Sequence, residues 1–184
     1  MSEPDERTRR ARAMWNHRGR KRPSFAIAPG PGQESVWDYP RPPAVVPDER
    51  RVRVLAGGVT LADTRQSVRV LETASPPTFY LPPEDVRTDL LQPSGRSTFC
   101  EWKGRARYFS IQADGRLIEN VAWTYPEAFA EFRPISGFIA FYPGPVECWV
   151  EDEQVRPQPG PYYGGWVTSE IVGPFKGEAG TQGW

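Results

Sequence analysis

From Arg51 onward, short apolar runs alternate with turn residues. "RVRVLAGGVTLADT" sets Val52 and Val54 before Gly57-Gly58, and Val59 and Leu61 after it, the pattern of two strands joined by a two-residue turn. "SVRVLE" repeats the alternation, and "TFYL" follows Pro76-Pro77 as another strand. "RARYFSIQ" and "RLIENVAW" flank Ala113-Asp114-Gly115 and predict a second hairpin. "ISGFIAFYP" and "VECWVED" add strands split by Pro143-Gly144-Pro145. Two segments predict short helices. In "PPEDVRTDLL", Pro83 suits a first turn, and Glu84 and Asp85 sit where the positive helix end favours acids; "PEAFAEF" is the other. With no long amphipathic helix, this spacing predicts a mainly β fold: a compact antiparallel β domain with one or two short helices, not a βαβ array.

The ends of the chain have a different texture. Residues 1–34 read as a basic, partly flexible leader, in which Arg7 to Trp15 can form two helical turns. Residues 35–50 are dense in proline, which removes a backbone donor and restrains its predecessor, so this segment is expected to wrap the domain in extended form, pinned by Trp37 and Tyr39. Residues 51–156 form the core domain. Residues 157–184 are glycine-rich but also aromatic (Tyr162, Tyr163, Trp166, Phe175, Trp184), unlike a disordered tail, and are expected to pack on the core.

Composition narrows the function classes. No apolar run approaches the roughly 18 residues of a membrane span, and the first residues lack the apolar core of a secretory signal, so a cytoplasmic protein without a membrane partner is expected. Net charge is zero, yet residues 1–22 hold eight basic and three acidic residues. Such an arm can meet an acidic surface, but no nucleic-acid-binding motif accompanies it. Two cysteines and one histidine are too few for a four-ligand zinc site, and no metal is expected.

"ESVWDYPRPP", "RVLETASPPTFYLPPEDVRTDLL", "STFCEWKGRARYFSI", "ENVAWTYPEAF", "GFIAFYPG" and "GGWVTSEIVGPFKG" together resemble the bacterial-rich family called domain of unknown function 427. The resemblance covers roughly residues 35–184. It implies a compact β fold of the β-tent kind, and one of the family's labels mentions nucleotidyl transfer. It implies no catalytic residues.

Candidate chemistry gathers in few places. Cys100, Trp102 and Lys103 fall within four residues; a cation beside a thiol favours thiolate, although the only histidine, His17, lies in the leader. If residues 118–124 form a strand, Glu119, Val121 and Trp123 share a face, and a carboxylate beside an indole suits a cationic or ring-bearing ligand. Trp102, Trp123 and Trp166 are expected to converge on one pocket, with Cys100, Lys103, Glu119 and Tyr125 near its rim. Arg87 can bind a ligand anion or pair with a neighbouring acid. Glu84, Asp85 and Asp89 can hold Mg²⁺, or serve as acids at a helix start. Lys176 stands among glycines that can cradle phosphate, without the spacing of a phosphate loop.

Three functions follow. The foremost is a small-molecule-binding β domain with an aromatic pocket, with Cys100, Lys103 and Glu119 as catalytic candidates and Trp102, Trp123, Tyr125, Trp166 and Arg87 as ligand contacts. The second is a nucleotide-binding or nucleotidyl-transfer enzyme. The third is a protein-interaction module using the basic arm. The sequence names no cofactor, reaction or oligomeric state.

Overall fold

The computed structural model describes residues 3–184. Helix α1 (Glu6–Ala13) opens the leader, and the Asp5 carboxylate caps it by accepting from the Thr8 amide at 2.8 Å. The strands then follow in order. They are β1 (Glu34–Ser35), β2 (Ala44–Asp48), β3 (Val52–Ala56), β4 (Val59–Thr64), β5 (Ser67–Glu72) and β6 (Ser75–Tyr80). The long hairpin strands are β7 (Leu91–Cys100), β8 (Gly104–Ala113) and β9 (Arg116–Thr124), followed by β10 (Ile139–Phe141) and β11 (Glu147–Val150). Four two-residue strands close the chain: β12 (Glu153–Gln154), β13 (Arg156–Pro157), β14 (Trp166–Val167) and β15 (Ile171–Val172).

Three antiparallel sheets carry the core, in the orders β10-β9-β8-β7, β12-β11-β3-β4 and β2-β5-β6. The hairpins turn at Gly57-Gly58 and Asp114-Gly115, where every turn residue has positive φ, as a primed two-residue turn demands. Inward side chains of β3, β4, β6, β8, β9, β10 and β11 interlock around Phe79, Leu81, Ile111, Phe141 and Trp166. The tail enters this core directly. Trp166 is fully buried, stacks on Phe79 at 4.8 Å between centroids and donates its indole N–H to the Phe141 carbonyl at 3.0 Å.

Leader and tail also hold each other. β1 pairs in parallel with β15, and the Trp37 ring meets His17, Phe25 and Trp184 edge-on at 5.0–5.2 Å. Among the described residues no helix is long and apolar enough to cross a membrane.

The structure departs from the expected helices. "PPEDVRTDLL" forms two 3-10 turns, Pro83–Asp85 and Thr88–Leu90, separated by an extended Val86. Val86 bridges Ala62 while the Arg87 amide donates to Leu61 O at 2.7 Å, so burying Val86 beside β4 wins over helical propensity. In "PEAFAEF" the winding is again 3-10 and comes later, at Ala130–Ile135. A ten-residue strand, β7, follows these turns, although its sequence carries no regular strand pattern.

Candidate functional site

The tip of the β7–β8 hairpin organises the site. Cys100 pairs with Gly104, and Glu101, Trp102 and Lys103 make the turn between them. Gly104 lies at φ +99°, a conformation that L side chains rarely adopt. The leader clamps this turn. Arg12 donates through Nε to Glu101 O at 2.6 Å and through Nη2 to Trp102 O at 3.2 Å, with its guanidinium 5.1 Å from the Trp102 ring centre. Trp15 donates its indole N–H to Glu101 Oε1 at 2.9 Å.

Behind the turn lies a cavity of about 360 Å³, at the small end of the roughly 300–1,000 Å³ range of ligand sites. Strands β5 and β6 contribute Glu72 and Tyr80, and the hairpin contributes Cys100, Trp102, Lys103 and Tyr108. Trp123, Tyr125 and Tyr142 form the aromatic wall, and Trp15, Gln158, Tyr163, Gly164 and Lys176 reach in from the two extensions. Trp123 packs against Tyr142 at 4.3 Å and Tyr80 at 6.4 Å between centroids.

Electrostatics separate the groups. Burial pushes the Cys100 thiol up, with Lys103 opposing it only in part, so the sulfur stays protonated at neutral pH. No imidazole stands beside it, since His17 packs on Trp37 and Phe25. Burial works against the Lys103 ammonium, but the negative charges of Cys100 and Tyr80, once ionised at high pH, and of Glu72 and Glu101 outweigh it and hold the lysine above its ordinary value. Lys176 goes the other way. Burial, joined by the nearby Arg41 charge, pulls it down to about 8 against the pull of Glu72, Glu101 and Cys100. Its Nζ sits 3.7 Å over the Trp15 ring and donates to Trp184 O at 3.0 Å. Burial pushes the Tyr80 phenol up to about 12.

The structure therefore brings Cys100, Trp102, Lys103, Trp123 and Tyr125 to one cavity and places three other candidates elsewhere. Trp166 lies in the core on Phe79, because β14 directs it between the sheets. Glu119 is solvent-exposed. Asn120 takes φ +53° and the β8–β9 register shifts between Phe109 and Ile111, so the strict alternation that would put Glu119 on the Trp123 face is broken. Arg87 is exposed and makes a bidentate pair with Asp89 at 2.7–2.8 Å, away from the cavity. Of the acids proposed for Mg²⁺, Asp85 accepts from Thr64 Oγ1 at 2.6 Å and Asp89 holds Arg87. Among the described residues no three acidic, histidine or cysteine side chains cluster as metal ligands.

Sequence reasoning missed Trp15, Tyr80, Tyr108, Tyr142 and Lys176 as cavity residues. Tyr80 ends β6 and Tyr142 directly follows β10, which marks them as strand-end aromatics. Nothing local marks Trp15 or Lys176, since their place depends on how the extensions dock.

The chain has no match among curated proteins at a significant level. A family profile described as Domain of unknown function (DUF427) matches residues 44–152, the span that supplies the three core sheets apart from β12, the hairpin tip and the aromatic wall, while Trp15 and Lys176 fall outside it. The match takes in more than half of the chain, and the protein belongs to the DUF427 family.

Proposed function

We propose that the protein is a small-molecule-binding β domain whose ligand is a compact ring-bearing molecule seated against Trp123 and the tyrosines around it. The observation that carries this reading is the cavity itself. It concentrates Trp15, Tyr80, Tyr108, Trp123, Tyr125 and Tyr142 around about 360 Å³, and aromatic walls of this kind favour stacked or edge-on contact with a ring. The same wall carries an ammonium, a protonated thiol and phenol hydroxyls, the sparse polar groups by which an apolar pocket fixes orientation. The reading assigns binding to the cavity and leaves turnover out.

The test is a panel of one-ring and two-ring compounds followed by tryptophan fluorescence and thermal shift, on the wild type and on Trp123→Ala. Binders that quench the wild type and lose at least about tenfold in affinity in the variant support the cavity. Binders that hold equally well to both proteins sit elsewhere and overturn the reading.

A further inference from the structure

The polar groups of the cavity are unequal in kind. Its two carboxylates are already engaged, Glu72 by Arg41 Nε at 3.1 Å and Glu101 by the Trp15 indole N–H at 2.9 Å. Its donors are not matched in the same way. Among the described residues no carboxylate lies within ion-pair distance of Lys103; Glu72 and Glu101 act on it only from farther off, and its Nζ stands 5.8 Å from the centre of the Tyr125 ring. The Trp102 indole N–H, also in the cavity lining, is a buried donor without a partner among the described residues. Lys176 adds a second ammonium over Trp15, where one of its protons already goes to Trp184 O at 3.0 Å.

A half-buried ammonium facing a low-dielectric cavity gains from an anion placed beside it. A cation in the same place would meet two ammonium groups and find both acids occupied. We propose that the ligand carries a carboxylate on its ring and that Lys103 receives this carboxylate while the ring lies against Trp123. This rests on the ring-binding reading above and names the second half of the ligand. Lys176 faces Arg41, Glu72, Glu101 and Cys100, and an anion in the cavity favours its charged form. Carboxylate affinity is therefore expected to fall as pH rises through about 8, where the free protein loses the Lys176 proton.

Calorimetry on the full chain with phenylacetate, phenylacetamide and phenethylamine separates the ring from the charge. The expected result is phenylacetate tighter than phenylacetamide by about tenfold or more, as a charge-assisted hydrogen bond supplies, with phenethylamine weakest. Lys103→Met, which keeps most of the length of the side chain and removes its charge, is expected to erase the preference for the acid over the amide. Equal affinity for acid and amide, or phenethylamine binding tightest, overturns the carboxylate inference and leaves the ring reading standing. A preference that survives in Lys103→Met overturns the assignment to Lys103. If none of the three binds at tens of millimolar, the ring reading falls and takes this inference with it.

Discussion

Gly164 is where the tail touches the aromatic wall, and replacing it tests whether that contact is as close as the structure draws it. A Cβ added at Gly164 would stand 3.0 Å from both Cζ2 and Cζ3 of Trp123, and nearer still to Cη2. Carbon pairs in well-packed interiors rest at about 3.5–4.0 Å, so one side must give. Trp123 has little freedom to do so, because it is buried between Tyr142 and Tyr80. Gly164→Ala is expected to cost about 2 kcal/mol, in the middle of the range for overpacking a well-packed site. In a chain of this length that lowers Tm by roughly 4–8 °C. Trp123→Leu makes room for the methyl group, so Gly164→Ala in that background should cost at least about 1 kcal/mol less than in the wild type. The assay is urea unfolding of the four proteins of this double-mutant cycle. A Gly164→Ala protein as stable as the wild type refutes the packing argument. So does the same loss in both backgrounds, which would place the strain away from Trp123.

Three further outcomes are expected. Lys176 is depressed to about 8 in the folded chain against 10.5 for an ordinary lysine, so between these values the unfolded chain holds the extra proton and stability rises with pH. Denaturant unfolding across that window should show a wild-type gain of up to about 3 kcal/mol relative to Lys176→Met, and parallel pH profiles would contradict it. In a Cys148→Ala background, Cys100 should alkylate slowly below pH 9, since burial raises its thiol; a midpoint below the roughly 8.5 of a free thiol counts against this. Asp48 is buried between Arg50 and Arg69 at 2.6–3.2 Å. Burial opposes its charge, but the Arg50 hydrogen bonds prevail and lower its pKa. Asp48→Asn should cost about 3 kcal/mol at pH 7 by leaving the arginines short of a partner, and this difference should shrink as pH falls through and below 3.8, when wild-type Asp48 takes up a proton.

What could be read ahead of the structure was local. Gly57-Gly58 and Asp114-Gly115 announce their hairpins because a primed turn needs φ values that glycine and aspartate tolerate. Cys100, Trp102 and Lys103 fall at one site because they share one turn, and Trp123 and Tyr125 join them through the neighbouring strand. The failures came where tertiary structure outvotes a local rule. Val86 is drawn into a bridge with Ala62 and breaks the expected helix. Asn120 at positive φ turns Glu119 out of the Trp123 face. A tryptophan count cannot tell a core indole such as Trp166 from a wall indole such as Trp123, because both are buried and differ only in what they face. Strand β7 is not legible in "LQPSGRSTF" because Pro93, Gly95 and the polar residues interrupt any alternation, while an edge strand tolerates proline and polar residues that a central strand rejects.

That edge has a consequence for how the molecule behaves in company. β7 is the outermost strand of its sheet and is exposed over most of its length, and a long bare strand is a template on which another chain can crystallise its own backbone. Here the template is spoiled. Pro93 offers no amide, the pairing slips between Pro93 and Ser97, and Arg96 adds charge to the interrupted stretch. The irregularity that hides β7 in the sequence is also what makes it a poor seed for fibril growth, so restoring a regular valine-rich strand there would exchange a ragged border for a sticky one.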